Sequence, residues 1–185
     1  MGSSESERIV KSVLAGAAAG LIATGPMTLL MLAWHRRLPA SQRFPLPPSL
    51  ITKRILGQSA LPRHHAMPNP TATLAAHFGF GAASGALFSA ASSGLRQQYP
   101  VATGVAFGLC VWGASYLGWV PAMRLMPPAT RQPAARNLMM IVAHIVWGAT
   151  LGSAVKALSP KANRTLPSEH LRSESRTISH REAAN

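Results

Sequence analysis

Residues 143–152 read Ala-His-Ile-Val-Trp-Gly-Ala-Thr-Leu-Gly. The stretch carries no charge, one histidine, one indole and two glycines a helical turn apart. An earlier stretch, residues 76–85, reads Ala-His-Phe-Gly-Phe-Gly-Ala-Ala-Ser-Gly. Both fit Ala-His-x-x-[Phe/Trp]-Gly-Ala-x-x-Gly. In lipid, helices gain little from burying apolar surface against one another. Glycines one turn apart let two backbones approach closely enough for dispersion to hold them. The two stretches therefore predict two membrane-spanning helices related by duplication.

Working outward, the composition agrees. The chain has 185 residues, of which 48% are hydrophobic and only 12% charged, about half the charge of an ordinary soluble domain. Four apolar runs occupy residues 12–34, 71–92, 101–123 and 137–158, each close to the ~20 residues that cross a bilayer. The first run is too long for the about 7–15 residues of a signal-peptide core. Pro26 inside it cannot donate to the Ile22 carbonyl. A kink is expected there, with Thr24 or a neighbouring helix supplying a partner. In the long connection after the first run, Ser49 can cap a short helix with Leu50, Ile51 and Ile55 on one side. An interfacial helix and an irregular loop fit that segment equally. Residues 159–185 are polar and basic without apolar period, and are expected to be disordered.

The remaining two runs also match. The first holds Gly16, Gly20, Leu21 and Gly25, and the third holds Gly104, Gly108, Leu109 and Gly113, at identical spacing. The repeating unit is thus a helical hairpin used twice in the same order. An even number of spans per unit inserts both copies the same way up. The fold expected is an all-α membrane protein of four transmembrane helices, built as a duplicated hairpin. Gly16/Gly20, Gly81/Gly85, Gly104/Gly108 and Gly148/Gly152 would form its packing faces, within the chain or in a homo-oligomer.

Helical spacing places His77 on the stripe of Gly81 and Gly85, and His144 on that of Gly148 and Gly152. Each lies about 10 Å inside the same boundary. Ser115 and Tyr116 in the third run, and Met27 and Thr28 in the first, fall at a similar depth. The sequence thus predicts one intramembrane polar layer of Met27, Thr28, His77, Ser115, Tyr116 and His144.

The formal net charge is +13. The basic residues flank the apolar runs or lie in the tail, where they can meet lipid phosphate. Membrane lipids, not nucleic acid, are the expected partners. Lys and Arg divide evenly between the two sides, which leaves the orientation open. Cys110 stands alone in a span, so neither a disulfide nor a cysteine metal site is expected. His64 and His65 are adjacent in a loop, and two ligands alone make a poor metal site.

Function divides three ways. The histidines can be packing glue in a structural or interaction protein, each imidazole bonding a neighbouring helix. They can serve a small channel or carrier for a proton, cation or solute. Or they can be axial ligands of haem in an electron carrier, with glycine making room for the macrocycle. An enzyme is not expected, since no Asp or Glu lies in any of the four runs and no hydrolase or metalloprotease motif is present.

Thr24-Gly-Pro-Met-Thr28, the Pro-Leu-Pro-Pro48 loop, Gly118-Trp-Val-Pro121, Pro127-Pro-Ala-Thr-Arg-Gln-Pro133 and Ala143-His-Ile-Val-Trp147 resemble the YagU-like group of small bacterial inner-membrane proteins. The similarity covers about residues 10–157. It implies a multi-pass protein of the bacterial plasma membrane and supplies no catalytic residues.

Overall fold

The computed structural model describes residues 2–37, 48, 49, 51, 70–91 and 98–158. Its long helices are α1 (Gly2–Arg37), α2 (Pro70–Ala91), α3 (Pro100–Gly113) and α4 (Ala134–Leu158). A π-helical segment, Ala114–Trp119, and a short α-turn, Val120–Ala122, prolong α3. Four stretches are long and apolar enough to cross a membrane: Glu5–Arg37, Pro70–Ala91, Pro100–Ala122 and Ala134–Leu158. The protein is an all-α, multi-pass membrane protein. Its outer surface agrees, because Leu14, Leu29, Leu87, Leu117 and Leu138 are each more than half exposed. Water would penalise such a girdle, whereas acyl chains accept it.

The first helix extends beyond its apolar run, and one expectation inside it needs correcting. The first helix begins well before residue 12, since the polar leader is helical too. Glu5 in its first turn complements the helix dipole, and Glu7 pairs with Lys11 one turn on at 3.5 Å, a helix-supporting arrangement. Thr24 does not serve the Ile22 carbonyl freed by Pro26. Its hydroxyl donates to Gly20 O at 2.8 Å, and that of Thr28 to Thr24 O at 2.7 Å. A threonine hydroxyl reaches back to the carbonyl four residues earlier, which from Thr24 is Gly20.

The third span is not one regular helix. Val120 N–H bonds Ser115 O, five residues back, and the backbone departs from helical geometry at Gly118 (φ −107°, ψ −105°). Pro121 has no N–H to give the Leu117 carbonyl, so the usual ladder fails just before it. The helix then ends on Arg124, in the left-handed region at φ 54°. Arg124 N donates to Pro121 O at 2.9 Å and Leu125 N to Val120 O at 3.0 Å. This is the paired closure of a Schellman motif, sealed by the buried Val120 and Leu125.

The helices pair as two hairpins, α1 with α2 and α3 with α4. The hairpins join through α1 against α4, and α2 meets α3 only thinly. Glycines make the close approaches. A Cβ on Gly20 would overlap the Gly81 carbonyl oxygen, and one on Gly85 would overlap that of Gly16. In the second hairpin Gly148 meets the carbonyl of Gly104, Gly152 that of Pro100, and Gly108 that of His144. Relative to the repeat in the sequence, α4 has slid by one helical turn, about 5.4 Å. The side chain where the copies differ explains the slip. Thr24 sits against Gly81, and its equivalent in the second hairpin is Trp112. An indole does not fit over a glycine backbone at that spacing.

Of the proposed interfacial helix, only Pro48, Ser49 and Ile51 are described, all in helical conformation. Its other residues, together with His64, His65 and residues 159–185, lie outside the described residues.

Candidate functional site: a cavity in the polar layer

Where α2 and α3 fail to close, a cavity of about 210 Å³ opens. Met27, His77, Ser115, Tyr116 and His144 of the expected layer all line it. Thr28 does not; Thr24, one turn earlier on α1, lines it instead. The reason is the face: Thr24 is buried toward α2 and α4, while Thr28 is only half-buried. Pro48 and Ile51, from the long connection, complete one side.

Most polar groups here are tied to protein. Trp147 Nε1 donates to Thr24 Oγ1 at 3.3 Å, joining α4 to α1. Tyr116 donates its hydroxyl to Met140 Sδ at 3.2 Å, joining the π-helical segment to α4. Trp119 Nε1 donates to Ser115 Oγ at 3.2 Å. His144 Nδ1 stands 2.7 Å from Met140 O. A carbonyl oxygen can only accept, so Nδ1 carries the proton and Nε2 of the neutral ring holds the lone pair. The Tyr116 ring stands edge-on to the His144 imidazole, with centroids 6.1 Å apart.

His77 differs. Its ring packs edge-on against Phe78 at 6.2 Å, and its buried Nε2 has no hydrogen-bond partner among the described residues. A buried polar atom left alone costs about 1–3 kcal/mol. The two histidines of one sequence motif are therefore inequivalent: one bonds its own helix, and the other keeps a sealed ring nitrogen without a hydrogen-bond partner among the described residues.

The open side follows from the repeat. Trp147 closes the α1–α4 seam by bonding Thr24. The equivalents on the other seam are Phe80 and Trp112, which offer no such pair. Phe80 instead meets Trp119, with centroids 6.2 Å apart. These two are 45% and 38% exposed, so they stand at the mouth of the cavity on the lipid side.

Met140 and Trp147 were not anticipated as part of the layer, although both lie on the face of His144 at helical spacing. Haem does not fit. The cavity falls below the roughly 300–1,000 Å³ of pockets that hold drug-sized ligands, and a porphyrin is no smaller than those. Among the described residues no three His, Cys, Asp or Glu side chains gather as a metal site.

No curated protein and no solved structure matches the chain. A family does match, over residues 10–166, which takes in α1 from residue 10 onward, the other three spanning helices and every described residue of the cavity. The chain belongs to the family of unknown function DUF6789.

Proposed function

We propose that this is a non-catalytic protein of a bacterial plasma membrane, acting as a structural or interaction component. The observation that carries the reading is the use of the layer's polar side chains. Trp147 with Thr24, and Tyr116 with Met140, bond one helix to another, as packing glue does. Proton transfer chemistry needs an acid and a base in reach of one another, and no carboxylate lies in the four apolar runs. The resemblance to the YagU-like group supports the bacterial plasma membrane as the location. The eight motif glycines all pack against a neighbouring helix of the same chain, so a homo-oligomer would have to form through another surface, such as the outer leucines.

A second reading, a small carrier or pore, is favoured by the cavity itself. One experiment separates the two. Thr24→Val and His144→Ala are compared with the unaltered protein for melting temperature in detergent and for proton and ion flux in liposomes. The scaffold reading expects lower melting temperatures and no flux in any sample. Flux in the unaltered protein, lost in a variant that still folds, would replace it with the carrier.

A further inference from the structure

We infer that the membrane face where α1 ends and α4 begins binds the head group of an anionic phospholipid, its phosphate held between the guanidiniums of Arg36 and Arg136. This goes beyond the scaffold reading, which gives that face no ligand.

Three features carry it. The first is level. Trp147 Nε1 bonds Thr24 Oγ1, which fixes α4 against α1 at one depth. Arg36 lies twelve residues beyond Thr24 on α1, and Arg136 eleven residues before Trp147 on α4. As first and last of four spans, the two helices run in opposite directions. Both arginines therefore stand about 16–18 Å from that bond, toward the same side of the membrane. Arg136, Met140 and Trp147 fall at i, i+4 and i+11, one stripe of α4, and Trp147 shows that this stripe meets α1. Packed helix axes lie about 8–10 Å apart, a gap that two arginine side chains can close on one phosphate.

The second feature is charge. The sequence holds no Asp or Glu between Glu7 and Glu169. Arg36 and Arg136 also have contacts inside the protein, but no carboxylate of the connections on this face can offset their charge. Arg37, at the end of α1, and Arg124 and Arg131, between α3 and α4, are exposed and add to the field. At the opposite end of α1, by contrast, Lys11 is already paired with Glu7. Unbalanced basic groups at a membrane surface attract acidic head groups, and the planar guanidinium fork matches phosphate oxygens. The third feature is depth. Trp34 is half-buried two residues before Arg36, and tryptophan settles where acyl chains meet head groups. Arg36 lies just beyond it, and Arg136 stands in the first turn of α4, so both reach the phosphate layer.

The test uses the full chain purified in a neutral detergent, with its melting temperature followed as each probe is added. The probes are phosphatidylglycerol, phosphatidylcholine and inorganic phosphate. A lipid that binds the folded state raises the midpoint progressively, and an apparent affinity follows from the rise. Phosphatidylglycerol should bind about twentyfold more tightly than phosphatidylcholine, the scale of two arginines at an acidic surface. Inorganic phosphate should leave the midpoint unchanged. Arg36→Gln and Arg136→Gln should each cut the lipid preference about fivefold, every variant being referred to its own lipid-free midpoint. Arg8→Gln and Lys11→Gln, at the other end of α1, should leave the preference intact. Equal affinity for the two lipids overturns the proposal, and so does a loss in Arg8→Gln or Lys11→Gln as large as that in Arg36→Gln. A matching rise with inorganic phosphate overturns the lipid as occupant in favour of a soluble anion. Should Arg136→Gln not fold, the lipid preference of the unaltered protein and its change in Arg36→Gln still decide.

Discussion

A single methyl group is enough to test the packing. A Cβ on Gly20 or Gly104 would meet a backbone carbonyl oxygen, whereas one on Gly79, in the middle of α2, would meet nothing within 4 Å. Backbone has no rotamer to escape into, so Gly20→Ala or Gly104→Ala must push two helices apart. Each should cost about 1–3 kcal/mol and lower the melting temperature in detergent. Gly79→Ala should instead be neutral or stabilise by up to about 1 kcal/mol, because alanine is the better helix former. Equal effects at Gly79 and Gly20 would contradict the packing described. Thr24→Val offers a separate check. It strands the buried Trp147 N–H and should cost about 1–3 kcal/mol. At this scale much was legible beforehand. Glycine spacing announced the contact faces, and His77 and His144, which the spacing grouped, both line one cavity. The unpartnered Nε2 of His77 was not legible, since it depends on which neighbours are missing, and periodicity records only which are present.

Among the elements, the helix ends and interruptions carry the information. The wider turn at Ala114–Trp119 had its signals in Gly113, Gly118 and Pro121, but proline alone does not say whether a helix kinks, ends or widens. Pro26 in α1 is followed by unbroken helix, and Pro121 is preceded by a π-helical segment. The Schellman closure at Arg124 places a branched-chain-intolerant backbone, at φ 54°, on a residue other than glycine. Arg124→Asn and Arg124→Val both remove the guanidinium, so their difference isolates the backbone. The valine variant should be less stable by about 1–2 kcal/mol, measured as the gap between their melting temperatures. The one-turn slip of α4 was hidden for a related reason. The repeat in the sequence aligns glycine with glycine, while the register is decided by the bulk of Trp112 where its counterpart is Thr24.

For the whole molecule, four spans return the chain to the face it started from. Reporter fusions placed before α1 and after α4 should give the same compartment, and opposite results would contradict a four-span protein. The asymmetry between the two hairpin seams, one closed by Trp147 and Thr24 and one left thin, could not be read from composition, because both seams are built from copies of the same unit. The length of α1 has a further consequence. Its 36 residues reach about 54 Å, against a hydrocarbon core of about 30 Å. The excess includes the charged end of α1, whose residues Glu5, Glu7, Arg8 and Lys11 are all exposed, and so short a run of helix is marginal on its own. Arg8 and Lys11 sit on it as trypsin sites that open only when that end frays. Protease added to sealed vesicles of known sidedness would clip it quickly if that end faces outward and leave it whole if it faces the lumen, reporting in one gel which way up the protein is set.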